Sequence, residues 1–150
     1  MNPVPPPAPA AGLGRRALAL VYESLLLVAV LFAGTLPFLM LVDDTGSAPG
    51  RLLLQFYLLA LCGAYFVWQW LRGGQTLPMK TWRIRLVTRD AAPLTLRHAI
   101  CRYLLALAGL ALFGIGFLWA FVDRERQFLH DRLAGTRIVK DEGERMKAEV

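Results

Sequence analysis

ALALVYESLLLVAVLFAGTLPFLMLV, residues 17–42, decides the architecture: 26 residues carry one formal charge, Glu23. A helix rises about 1.5 Å per residue and a bilayer core is about 30 Å thick, so about 20 apolar residues suffice to cross. Arg15 and Arg16 precede the run, as basic residues precede a secretory leader. The run is too long for a leader and has no A-x-A cleavage site, so a first spanning helix is expected in place of a cleaved segment. Ahead of it, residues 1–14 hold Pro3, Pro5, Pro6, Pro7 and Pro9 among alanines, the composition of a disordered tail with nothing to bury.

Asp43, Asp44, Gly46, Ser47, Pro49 and Gly50 make a polar turn, after which Leu52–Leu71 supplies a second apolar run of 20 residues. Its last turns hold Tyr65, Trp68 and Trp70, rings suited to the membrane interface. From Arg72 to Arg102 the chain has seven Lys or Arg residues against one acid, Asp90, which assigns this loop to the cytoplasmic side. Thr95 is placed to cap a helix that is polar through Arg97, His98 and Arg102 and apolar from Tyr103 to Val122, the third hydrophobic segment.

A straight third span would leave nine Lys or Arg residues inside and eight outside. A segment that bends at Gly114 and Gly116 and returns leaves sixteen inside and one, Arg51, outside. The charge bias therefore favours a re-entrant segment with both termini cytoplasmic. Two arms of roughly 15 Å are each too short to cross, so such a hairpin has to pack on protein. The expected fold is an all-α membrane protein, a small bundle of three hydrophobic segments whose third either spans or, as the charge bias favours, re-enters, carrying a short basic β-ribbon in its cytoplasmic loop. Residues 15–139 form the transmembrane domain and residues 140–150 a polar tail.

Composition agrees, since 56% apolar residues and a mean hydropathy of +0.45 exceed what one soluble core of 150 residues carries. The net charge of +6 is spread between apolar runs, which points to anionic lipid headgroups as partners and away from nucleic acid. Within the loop, Trp82, Ile84 and Leu86 alternate with Arg83 and Arg85, the period-two pattern of a strand with one apolar and one cationic face. It reads either as a ribbon on the headgroups or as a solvated connector.

No catalytic constellation emerges, and the chain is not expected to be an enzyme. Gly73 to Thr81 lacks the glycine before Lys80 that a phosphate loop needs. His98 and Cys101 are two potential ligands where a structural zinc site takes four, and Cys62 stands apart, so neither a metal nor a disulfide is expected. His130 beside Asp131 suggests acid–base work, but no nucleophile or cofactor motif accompanies the pair, and no cofactor is implied.

Three ordered motifs carry a resemblance: Arg15, Arg16, Ala17, Leu18, Ala19 and then Glu23; Gly73, Gly74, Gln75, Thr76, Leu77; and Leu129, His130, Asp131, Arg132, Leu133, Ala134, Gly135, Thr136. Together, over about Gly14 to Val139, they resemble the RDD family of membrane proteins. The resemblance implies that Arg15 or Arg16 matches the arginine of the family pattern, Glu23 its intrahelical aspartate and Asp131 its downstream acid. Glutamate at position 23 departs from the pattern by a methylene. Pro78 departs where many relatives have glycine, and it removes a backbone donor. The resemblance implies a bacterial inner-membrane, multi-pass protein, with transport suggested for the family.

An acid inside a spanning helix is costly and faces protein, water or a counter-charge, so Glu23 is the leading functional candidate. Arg16 and Glu23 share a helix face about 10 Å apart. Arg97, Arg102 and Arg132 are its potential partners. One reading is a proton or cation relay through Glu23 and Asp131; the other is a polar clamp that fixes helix packing. Three segments enclose no pathway alone, so transport implies a homo-oligomer or a larger membrane complex, and the alternative is a scaffold for such a complex.

Overall fold

The first apolar run is helical in a computed structural model that describes residues 9–90, 92 and 94–141. Helix α1, Leu13–Leu41, starts four residues before the apolar run and is about 44 Å long at the rise of an α-helix. A turn brings the chain back into α2, Ala48–Gly73, where Ser47 caps by accepting from the Gly50 N–H and Pro49 lies in the first turn. The two helices close on each other at Gly34, where an added Cβ would collide with Leu61 Cδ2. Beside it the Tyr57 hydroxyl donates to the Gly34 carbonyl at 3.0 Å. Both helices are long and apolar enough to cross a membrane. Along their lengths they expose Leu25, Val28, Phe32, Leu53 and Phe56, a surface that a bilayer covers and water would not.

After α2 come the short helix α3, Leu77–Thr81, strand β1, Ile84–Thr88, and helix α4, Leu96–Ala111, capped by Thr95. Thr95 Oγ1 also lies 2.7 Å from His98 Nδ1, so His98 serves the cap. The third segment then breaks. Phe113 and Gly114 take positive φ of 56° and 76°, and α5, Ile115–Val122, leaves at 95° to α4. The break falls at Gly114 as the sequence suggested, whereas Gly116 lies within α5. There it meets Gly109 so closely that a Cβ on Gly109 would be 3.1 Å from Gly116 Cα. Two glycines thus let the arms touch backbone to backbone.

The chain ends with α6, Leu129–Leu133, and strand β2, Thr136–Lys140, which pairs antiparallel with β1 from Ile84↔Lys140 to Thr88↔Thr136. The ribbon is therefore not a local hairpin in the loop, because its second strand comes from the far end of the chain. On its other edge β2 pairs with the segment before α1: the Ala11 N–H donates to Ile138 O at 3.1 Å and the Lys140 N–H to Pro9 O at 3.1 Å. Pro9 to Gly14 and Lys140 thus belong to the fold, while residues 1–8 and 142–150 of the two expected tails lie outside the described residues. The start of α1, the loop after α2 and β2 all occupy one end of the bundle. The closed core is there too, built from Ala19, Trp70, Met79, Ile84, Leu86 and Ile138.

Candidate functional site

Polar side chains gather beneath this closed end. On α1, Arg16 and Glu23 face inward two turns apart, with Ala19 buried between them. Arg15 is exposed and Arg16 is 1% exposed, so Arg16 is the arginine the fold uses. Its Nη1 donates to Arg126 O at 2.7 Å and its Nη2 to Ile138 O at 3.2 Å, which ties α1 to the last third of the chain. Nε has no partner among the described residues, and the guanidinium lies 5.9 Å from the Phe128 ring centroid.

Glu23 is buried and, among the described residues, engaged by hydroxyls and not by a cation. Tyr65 on α2 donates to Oε1 at 2.8 Å and Thr76 to Oε2 at 2.5 Å. The partners suggested by the sequence are occupied elsewhere. Arg102 Nε donates to Asp131 Oδ1 at 2.6 Å, Arg132 pairs with Asp123, and Arg97 is exposed. Tyr65 and Trp70 turn inward instead of anchoring at the interface: Trp70 is 4% exposed and lies 4.3 Å beneath the Arg102 guanidinium. Trp68 does face outward, with Arg72 stacked over it.

The loop motif builds the floor. Gly74 ends α2 in the left-handed conformation, φ 68°, and its carbonyl accepts from the Leu86 N–H at 2.7 Å. A Cβ there would meet Leu86 O at 2.5 Å, so glycine is required twice over. Gln75 Nε2 donates to Ile84 O and to Asp141 Oδ2, which also pairs with Arg85 at 3.6 Å. Thr76 caps α3 by accepting from the Met79 N–H while its hydroxyl proton goes to Glu23. Pro78 lies in the first turn of α3, where a missing N–H leaves no helical bond unmade.

On α6, Asp131 is fully buried and its Oδ2 has no partner among the described residues. His130 is 3% exposed, lies against Phe117 and Phe128, and has an unpartnered Nδ1. Burial pushes its pKa down to about 4, helped by Arg102 and opposed by Asp131, so the ring is neutral at pH 7. Arg16, Glu23, Thr76, Arg102 and His130 line one cavity of about 550 Å³ between α1, α2 and α4. The structure thus brings Arg16, Glu23, His130 and Asp131 into one neighbourhood. The sequence reading missed Tyr65 and Trp70, and the inward i, i+4 spacing of Phe66 and Trp70 was the available signal. Among the described residues no three His, Cys, Asp or Glu side chains come together as metal ligands.

The model of the RDD family matches residues 10–135. An uncharacterized protein of Rickettsia prowazekii (strain Madrid E) is 35% identical over 86 residues, 55% of this chain and 46% of that one. The match spans about half the length of that relative. No solved structure matches. The family match covers most of the chain, from the segment that precedes α1 to just past the Asp131 helix, and the chain belongs to the RDD family.

Proposed function

We propose that this protein is a transport component of the bacterial inner membrane, without enzymatic activity, in which Glu23 takes up and releases a proton, or holds a cation or small solute, at the cavity. The observation that carries this reading is the chemistry around Glu23. A buried carboxyl in a helix long and apolar enough to cross a membrane is satisfied by two hydroxyls and lines a cavity, and among the described residues it has no salt bridge to lock its charge. In this reading the third segment is re-entrant, both termini are cytoplasmic, and the basic loop rests on anionic headgroups. A homo-oligomer or larger complex completes the pathway.

The test is flux through the full chain in liposomes under an imposed pH gradient. Wild type is expected to dissipate the gradient, and Glu23→Gln, which keeps the shape and an acceptor for one hydroxyl while the other turns to accept from the amide, to stop it while melting close to wild type. Normal flux in Glu23→Gln sinks the relay. A second reading, a non-catalytic scaffold for another membrane complex, draws on the buried Arg102–Asp131 pair, which ties α4 to α6, and the Arg16–carbonyl anchors, which tie α1 to the loop before α6 and to β2. It predicts no flux in wild type and an effect of Glu23→Gln on assembly alone.

A further inference from the structure

The cavity has a polar end and an apolar end. Arg16, Thr76, Arg102 and His130 lie toward the ribbon; Leu27, Leu59, Leu107 and Leu110 lie toward the membrane interior. From Arg16 to Leu27 its wall on α1 is about 16 Å long at the helical rise, the reach of one hydrocarbon chain. Helices α1 and α4 both pack on α2 but hardly on each other. The cavity is therefore flanked by the gap between them, where Leu20 and Leu110 are exposed to the bilayer.

Charge selects the occupant. The acids near the cavity have their own partners: Glu23 has Tyr65 and Thr76, and Asp131 has Arg102 on Oδ1, with its Oδ2 unpartnered among the described residues. Arg16 has no carboxylate within 4.0 Å among the described residues, and its buried Nε has no acceptor; His130 Nδ1 is likewise unpartnered. A buried guanidinium with an unmade bond favours an anion over a cation or a neutral alcohol. We propose that the cavity binds an anionic amphiphile, its carboxylate or phosphate head on Arg16 and His130 and one hydrocarbon chain between α1 and α4 toward Leu27 and Leu107. This extends the transport reading by naming a ligand class, and it is tested by binding, so its failure is separate from failure of the proton flux.

The experiment uses the full chain in phosphatidylcholine nanodiscs and three photoactivatable probes with the same diazirine-bearing chain: a fatty acid, a lysophosphatidate and an alkylamine. At least one of the anionic probes is expected to crosslink to cavity residues of α1 and α4, mapped by mass spectrometry, and the alkylamine is not. Labelling by the fatty acid alone identifies a free carboxylate as the head, and labelling by the lysophosphatidate alone a lipid phosphate. Ala106→Trp, which fills the cavity from α4, and Arg16→Gln are each expected to cut labelling about tenfold. Ala106→Trp leaves the Arg16 anchors in place, so it remains decisive if Arg16→Gln does not fold. Equal labelling by the alkylamine, or labelling undiminished in Ala106→Trp, overturns the proposal.

Discussion

Arg102 Nε donates to Asp131 Oδ1 at 2.6 Å, with Arg102 7% and Asp131 0% exposed, and this contact joins α4 to α6 across the bend at Gly114. Removal of one partner strands a buried charge, at a cost of about 3–5 kcal/mol. Asp131→Ala is therefore expected to lower the melting temperature sharply in detergent. The double change Arg102→Met with Asp131→Leu is expected to recover most of the loss, because the stranded charge goes with the pair. A double variant no more stable than Asp131→Ala contradicts this account.

Glu23→Ala differs from Glu23→Gln in what it leaves behind. With alanine the Tyr65 and Thr76 hydroxyls lose their acceptor, and each buried unsatisfied group costs about 1–3 kcal/mol. Denaturation of the two variants is expected to rank Ala well below Gln, with Gln close to wild type.

His130 makes stability depend on pH. Its folded pKa, about 4, lies below the ordinary 6.5, so the unfolded chain binds more protons between those values. The stability from the neutral ring is full above pH 6.5 and is lost as pH falls toward 4, on the order of 3 kcal/mol across that window. Unfolding measured at pH 7 and pH 4.5 should show the loss in wild type. His130→Phe, which keeps the ring stack on Phe117 and Phe128, should flatten the curve.

The bend depends on close backbone contact at Gly109 and Gly116. Gly109→Leu forces side-chain atoms into the space of Gly116 Cα, and overpacking of this kind costs about 1–3 kcal/mol. Gly114→Ala meets no atom within 4 Å, so its smaller penalty, about 1 kcal/mol, comes from the positive φ alone. Melting of the two variants should fall in that order.

A re-entrant third segment returns β2 to the side on which α1 begins. Reporters fused after Val150 and in the turn at Ser47 are expected to report opposite sides of the membrane, with Val150 cytoplasmic. An exterior Val150 would contradict the pairing of β2 with both β1 and Ala11.

Length, hydropathy and capping residues are local quantities, and they sufficed for the two long helices, the Thr95 cap and the weak point at Gly114; the polar turn was legible from Asp43 to Ser47, while Pro49 and Gly50 belong to α2. The alternation of Ile84 and Leu86 with Arg85 likewise showed a strand with one buried face. The sequence alone also identified Glu23 as an acid that needs a partner, because the cost of a charge in hydrocarbon does not depend on the fold. Only the tertiary structure decided what met it. Tyr65 and Thr76 lie 42 and 53 residues away, and Arg16 finds Ile138 across 122. Which of two adjacent arginines is buried, which strand completes the ribbon and which acid takes Arg102 are choices among chemically similar candidates. No local pattern ranks them, because the contacts exist only once the bend at Gly114 has brought the end of the chain back to its beginning.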